Sequence, residues 1–302
     1  MRQTTTSSTL KGLQRARPSF LWKDPFLRSA GVQIIALLLC SAPRVSLAAE
    51  PATPLQALLI TGGCCHDYSR QKLILSEGVS ARANVKWTLV QEGGNGTRRQ
   101  NIQQSIYQNP DWAKGFDIVV HNECFADDAD PEYIERVLAP HRSGTPAIVI
   151  HCTMHTFRAL KTDAFREFLG VTSTHHGPQH PLDVKNLKPD HPIMKGFPVI
   201  WTTGNEELYA IDKLWPSTVA LAQAADKKKD ASGAWVDTPK QNTVIWVNTY
   251  GMGRVFGTTI PHNNKTMEDP VYLAMFTRGL LWACDKLDAS GKPRPGYEAS
   301  AK

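Results

Sequence analysis

The chain has 302 residues, 41% of them apolar, with 34 Lys and Arg against 28 Asp and Glu. That is enough for a sizeable core, too polar for a multi-span membrane protein, and unlike a disordered chain. The net charge of +6 suggests a polyanion partner only until it is located: Arg2, Lys11, Arg15, Arg17, Lys23, Arg28 and Arg44 against Asp24 carry all of it, so residues 49–302 are neutral overall and give no electrostatic case for nucleic acid.

Residues 1–48 read as an export leader with a long basic, Ser/Thr-rich start. The apolar run Gly31–Cys40 is too short to span a bilayer comfortably, and Ser46-Leu47-Ala48 offers small residues for cleavage before Ala49. The expectation is a periplasmic or extracellular protein with no stable membrane span in the mature chain. A single α/β domain is expected over 49–290 and a flexible Gly/Pro/Ser-rich tail over 291–302.

Along the mature chain, Leu55–Thr61 predicts a strand that ends in Gly62-Gly63. Asp67–Ala81 predicts a helix, Val85–Val90 a second strand, Phe116–Val120 a third, Pro131–Leu138 a helix and Ala147–Ile150 a fourth strand. Phe157, Leu160, Ala164, Phe165, Phe168 and Leu169 recur at helical spacing. Strands apolar throughout, alternating with helices, predict a parallel sheet covered on both faces, with ligands beyond the carboxyl ends of its strands. From Val171 to Pro192 the pattern breaks, predicting a long loop or a small extra sheet, and Ala220–Ala234, with Asp226-Lys227-Lys228-Lys229-Asp230, predicts a solvated turn. Thr243–Thr249 and Arg254–Ile260 predict an antiparallel hairpin, and Met267–Leu287 a last helix.

The chemistry-bearing residues gather at the predicted strand ends and in the irregular middle. Gly62 and Gly63 would let the backbone approach a ligand, although no third glycine completes a dinucleotide fingerprint. His66 stands at a helix entry, which suits a neutral base or a metal ligand. After the fourth strand come His151, Cys152 and His155. Cys152 lies where a nucleophile elbow would put a thiol, but Ile150 and Met154 crowd it. Cys64, Cys65, Cys124, Cys152 and Cys284 show no CxxC spacing and no disulfide framework, so they read as small buried hydrophobes. His175, His176, His180, His191, Glu206, Glu207, His262 and Asn263 complete the polar set, with His121 after the third strand. Three imidazoles and a carboxylate suit a divalent metal such as Zn, Mn or Fe; a metal-free acid–base pocket and purely structural loops stay open.

Taken together, Ala147–Phe157, Val171–His180, Asp190–Phe197, Glu206–Tyr209, Tyr250–Asn263 (YGMGRVFGTTIPHN) and Thr277–Ala283 resemble the ThuA-like (trehalose-utilisation) family, a branch of the class I glutamine amidotransferase-like superfamily. The resemblance runs from about residue 55 to 287. It implies a flavodoxin-like three-layer sandwich with a mostly parallel central sheet, a C-terminal hairpin and a helix. It also implies a pocket shared by His66, His151, His176, Glu206 or Glu207, and His262, with His66, His151, His176 and His262 as the candidate metal ligands. Catalytic roles fall to His151, His176, Glu206, Glu207 and His262, and substrate binding to Gly62, Gly63, His66, Cys152, His155 and Asn263. Amidotransfer is not expected, because His262 is followed by Asn263-Asn264 and no Glu stands two residues on. The family's links are to sugars, particularly keto-sugars made by partner dehydrogenases, so a small sugar substrate, pairing with a sugar dehydrogenase and a homo-oligomer are the implied partners.

Three functions compete. An exported enzyme that isomerises, eliminates from or hydrolyses a keto-sugar or glycoside requires the histidines to converge in one concave pocket. A non-catalytic sugar- or partner-binding module requires Trp201, Trp215 or Trp235 to line an open groove. A thiol hydrolase requires an exposed Cys152 with an imidazole in reach.

Overall fold

The computed structural model describes residues 53–93 and 102–299; the leader and its cleavage site lie outside them. The parallel half of the molecule follows the apolar pattern closely. Strands β1 (Leu55–Gly63), β2 (Val85–Gln91), β3 (Ile118–Cys124) and β4 (Ala147–Ile150) alternate with helices α1 (Tyr68–Ser80) and α2 (Pro131–Arg142). In β1 the period of two sends Ala57 and Leu59 into one core layer with α1, and Leu58 and Ile60 into the other with α2. Asp67 caps α1 by accepting from the backbone N–H of Arg70 at 3.2 Å, and Asp130 does the same for α2.

Beyond β4 the sheet changes character. Strand β5 covers Val171–Asn186, β6 Ile200–Leu214, β7 Val219–Lys229, β8 Trp235–Tyr250 and β9 Gly253–Thr258. The nine strands form one sheet in the order β2-β1-β3-β4-β9-β8-β7-β5-β6. Strands β2 to β9 along that order pair in parallel, whereas β9-β8, β8-β7, β7-β5 and β5-β6 pair antiparallel. The fold is therefore a mixed α/β sheet, and the expected mostly parallel sheet holds for only half of it. The reason is local. The segment read as a loop is β5, one face of which is wet and whose pairing with β6 shifts register at four points, so its alternation is broken in the sequence.

The charge run read as a turn is likewise the end of a strand. Lys227, on β7, reaches Asp183 at 2.9 Å and Asp237 at 3.5 Å on the strands beside it, and the actual turn is Asp230–Ala234. The helix expected from Phe157 shortens to α3 (Ala164–Leu169), closed by Gly170 at φ 82°. Upstream of it, the N–H groups of Phe157 and Ala159 donate to Phe125 and Ala126 carbonyls, holding that segment against the exit of β3. The last helix appears as α4 (Asn264–Met267) and α5 (Pro270–Ala283). Residues 291–299, expected to be a flexible tail, are tied down: Pro293 pairs with Leu287, Glu298 with Ala83, and the Asn84 N–H donates to Tyr297. No helix of the described residues is long and apolar enough to cross a membrane.

Candidate functional site

The carboxyl ends of β1, β3 and β4 open together into a cavity of about 420 Å³, within the range of small-molecule sites. His66 enters it from the turn after β1, His155 from the 3-10 turn after β4, His262 from the loop after β9, and His176 and Glu207 from the antiparallel strands β5 and β6, while His151, buried at the start of the 3-10 turn, stands behind the lining against His262. Both halves of the sheet thus supply the site.

Glu207 is its hub. Its Oε2 lies 3.2 Å from His262 Nδ1, 3.4 Å from His151 Nε2 and 3.5 Å from His176 Nε2. His262 Nδ1 and His151 Nε2 are themselves 3.3 Å apart, and the His66 ring centroid is 4.8 Å from each of their rings. The backbone fixes the orientation of His151: its Nδ1–H donates to the Thr259 carbonyl at 2.6 Å, which turns Nε2 toward Glu207 and His262. The Gln179 amide, donating at 2.9 Å to His262 Nε2, turns the Nδ1 side of that ring toward Glu207.

Charge follows from this crowding. Burial, reinforced by the neighbouring His151 and His262, pulls the His66 imidazole down to about 2, so it is neutral and basic only as a lone pair. Burial pushes the Glu207 carboxyl upward, but hydrogen bonds from His151 and His262, with their charge, outweigh it and hold Glu207 well below the usual carboxylate range. Burial lowers His262, and the contact with Glu207 more than reverses that, raising it. His155 is held down to about 3, by burial first and the Arg158 charge second.

The other expected site residues divide. Glu206 is fully buried, its carboxyl raised by burial; it accepts from the backbone N–H of His262 and so holds the loop that presents the imidazole, while its Oε1 has no partner. His155 lines the cavity, stacked on Tyr209 at 4.4 Å, and His176 stands half exposed at the rim. Asn263 serves the backbone instead of a ligand, since it caps α4 by accepting from the Thr266 N–H and donates to the Asn205 carbonyl at 2.6 Å. Gly62 and Gly63 are explained by packing rather than ligand approach. Both have positive φ, and a Cβ on them would come within 1.8 Å of the Glu92 carbonyl oxygen and 2.2 Å of the Cys124 carbonyl oxygen.

Cys152 is buried and joined to Cys124 in a disulfide, so it is no free nucleophile and the thiol-hydrolase expectation falls. The cysteines are not scattered hydrophobes either. Cys64 and Cys65 form a second disulfide, and all four line the same cavity, brought together by strand ends that the sequence separates. Arg158 and Tyr209 also line it, and the sequence offered no spacing signal for them. His121 leaves the set: it is buried inside β3, its Nδ1 is 2.8 Å from Glu123, its Nε2 3.0 Å from His141, and it takes no part in the cavity. His191 serves as a cap for the turn at Pro192, and His180 packs on Trp235. Trp201 is buried in the core, while Trp215, beneath Lys213 at 3.2 Å, lies in a separate depression that gathers no comparable set of acid–base groups.

The donor set can be tested against a metal. Four ligands at the 2.0–2.1 Å typical of zinc and imidazole stand roughly 3.3 Å apart. The separations among His151, His262 and Glu207, from 3.2 to 3.4 Å, match that edge, and the ligand atoms of His66, His151 and His262 all lie within 4.8 Å of one another. Among the described residues the buried His66 Nδ1 has no partner. These residues fit a divalent ion; His176, which the resemblance counted among the ligands, lies outside that trio, as Glu207 does, with its Nε2 3.5 Å from Glu207 Oε2.

A mixed α/β sheet with a histidine–carboxylate cluster beyond its parallel strand ends defines a pocket protein of the layered α/β class. The model of the ThuA family, described as trehalose utilisation, matches residues 78–283, and the chain belongs to that family. Among solved structures it is similar to a ThuA-like protein from Parabacteroides merdae, at 18% identity and a TM-score of 0.60 over 82% of this chain and 98% of that one. A ThuA-like protein from Bacteroides uniformis aligns at 12% identity and a TM-score of 0.58, again over 82% and 98%. No curated protein matches.

Proposed function

We propose that this chain is an exported enzyme that processes a small carbohydrate, a keto-sugar or glycoside, in the cavity centred on Glu207. The observation that carries the reading is the convergence of His151, His176 and His262 on one carboxylate, with His66 packed against His151 and His262, the arrangement a catalytic pocket requires and a binding module with aromatic platforms does not. Family membership favours sugar chemistry, and the cavity volume suits one or two sugar units better than a polymer.

His66, His151, His262 and Glu207 would hold a divalent ion such as Zn, Mn or Fe. The ion, when bound, supplies a Lewis acid for a sugar carbonyl or hydroxyl oxygen. Thr259 fixes the His151 tautomer, Gln179 orients His262, and Glu206 anchors the His262 backbone. His176, whose Nδ1 is 2.9 Å from the Gly177 carbonyl, presents Nε2 at the rim and is the group placed to take a proton from carbon or oxygen of the substrate and return it. Arg158 and His155 also line the cavity, where a cation and a neutral imidazole can orient hydroxyl groups. A sugar oxidised by a separate dehydrogenase is the substrate class this pocket would serve.

Elemental analysis of the purified chain, paired with a keto-sugar turnover screen on wild type, His151→Ala and His176→Ala, tests this. The expected result is near-stoichiometric metal that His151→Ala loses and His176→Ala retains, with turnover lost in both. Wild-type protein that turns over no keto-sugar or glycoside, with or without Zn, Mn or Fe supplied, overturns the enzyme reading.

A further inference from the structure

The Cys64–Cys65 disulfide joins adjacent residues. A crosslink stabilises a fold mainly by removing loop entropy from the unfolded chain, so this one, which closes only a ring of two residues, contributes little of that kind. Cys65 also sits at φ 83°, a region L residues rarely adopt, and is exposed, while Cys64 is buried. Exposed or strained disulfides are the labile ones, and structural ones are not. The second disulfide is the opposite case. Cys124 and Cys152 are both buried, and they tie the end of β3 to the turn after β4 across 28 residues.

The two pairs touch. Cys64 Sγ is 3.5 Å from Cys124 Sγ, and the sulfurs of Cys64, Cys124 and Cys152 lie within 4.8 Å of one another. From this juxtaposition we infer that the four cysteines form a thiol–disulfide exchange site, which takes electrons from an external dithiol at Cys65 and passes them through Cys64 to the buried Cys124–Cys152 pair. The inference stands on the sulfurs alone and does not depend on the carbohydrate reading.

The exchange balances without further reagents. One thiolate of the dithiol attacks Cys65 Sγ and Cys64 leaves as a thiolate; the second thiol of the reductant then displaces Cys65 and departs as a disulfide. Freed from Cys65, the Cys64 side chain turns about its Cα–Cβ bond to attack Cys124 Sγ, and Cys152 leaves as a thiolate. Cys65 then attacks Cys64, restores the vicinal bond and releases Cys124. In sum, one dithiol becomes a disulfide, the Cys124–Cys152 bond becomes two thiols, and the two protons of the reductant end on Cys124 and Cys152. A partner of this chemistry is a protein or small molecule that carries two neighbouring thiols. Since Cys152 directly follows His151, the exchange loosens or locks the turn that presents that imidazole.

Full-length protein under native conditions, with dithiothreitol as the probe, provides the test: aliquots are alkylated over time and the cysteines mapped by mass spectrometry. Cys284, half-buried with its thiol directed at the Asp117 carbonyl at 3.7 Å, is a free thiol outside the cluster and serves as the internal reference for alkylation. In wild type, Cys124 and Cys152 should become alkylatable, and in Cys64→Ser/Cys65→Ser that native-state reduction should be lost. A second variant guards against misfolding. Cys65→Ser/Cys152→Ser leaves Cys64 and Cys124 as the only partners, and with oxidised dithiothreitol they should close into a Cys64–Cys124 disulfide. Reduction of the buried pair at the wild-type rate in Cys64→Ser/Cys65→Ser, or no Cys64–Cys124 bond in the trap variant, overturns the inference. So does wild-type protein isolated with all four thiols free around a stoichiometric soft metal ion.

Discussion

Replacing Gly63 with Ala probes how the end of β1 is built. Gly63 has φ 101°, and a Cβ there would lie 2.2 Å from the Cys124 carbonyl oxygen and 2.7 Å from its carbon, both backbone atoms of the paired strand β3. Two costs add. Forcing an L residue into that backbone region costs about 1–3 kcal/mol, and displacing packed backbone costs about 1–3 kcal/mol more. The sum, about 2–6 kcal/mol, is a large part of the ~5–15 kcal/mol that holds a domain together. Gly115 supplies the control, since it has φ 87° with nothing within 4 Å of its Cβ direction, so Gly115→Ala incurs only the first cost. Urea denaturation of both variants under non-reducing conditions, read by tryptophan fluorescence, separates the two. Gly63→Ala should lose clearly more stability than Gly115→Ala. Equal losses in the two variants, or a Gly63→Ala loss below about 0.5 kcal/mol, the usual scale of neutral surface changes, would refute the packing account.

Other expectations follow from the same contacts. In EDTA-treated protein, Glu207→Gln removes the contact that raises His262, so the His262 imidazole titration followed by NMR should move down; an unmoved titration would show that Glu207 is not its partner. The depressed Glu207 stabilises the fold above the ordinary carboxylate value of 4.5 and loses that contribution as pH falls through its own value; the raised His262 contributes below 6.5 and loses it as pH rises through its own. The stability gap between wild type and Glu207→Gln should therefore be widest between pH 4.5 and 6.5 and narrow on either side, and a gap independent of pH would exclude this coupling. Glu123→Ala strips His121, Tyr107 and Gln104 of their shared buried carboxylate and should cost about 3–5 kcal/mol by denaturation. Gly257→Ala would drive a Cβ to 2.1 Å from the Trp246 ring, and its thermal midpoint should fall with a visible change in tryptophan emission; a wild-type midpoint would contradict the close packing of β8 on β9.

The parallel half was legible because its strands are buried on both faces, and runs such as Leu58, Leu59 and Ile60 have one physical explanation. The antiparallel half was not. Strand β5 carries His175, His176, Gln179 and Lys185 on a wet, bulged surface, and without knowledge of β6 its residues look like a polar loop. The site divides the same way. His66, His151 and His262 follow strand ends or the hairpin, so sequence position marked them, whereas Glu207 stood in the polar set beside Glu206 with nothing to rank one above the other. The convergence of Cys64, Cys65, Cys124 and Cys152 escaped notice because it depends on β1 lying beside β3 and β3 beside β4, a neighbourhood no spacing rule encodes. Asn263 and the two glycines have residue types that serve ligands and backbone equally well, and only the contacts decide between them.

The placement of β9 at the seam, parallel to β4 on one side and antiparallel to β8 on the other, has a kinetic consequence. His66 and His262 are nearly two hundred positions apart, and the Glu207 between them belongs to a strand that reaches the sheet only through β5, β7 and β8. The pocket cannot exist in any fragment or early intermediate. It needs the pairing of β4 with β9 and of β5 with β6, contacts of high sequence separation whose loop-closure cost slows their formation relative to local structure. Any probe of the Glu207 cluster is thus a reporter of the long-range pairings rather than of local structure.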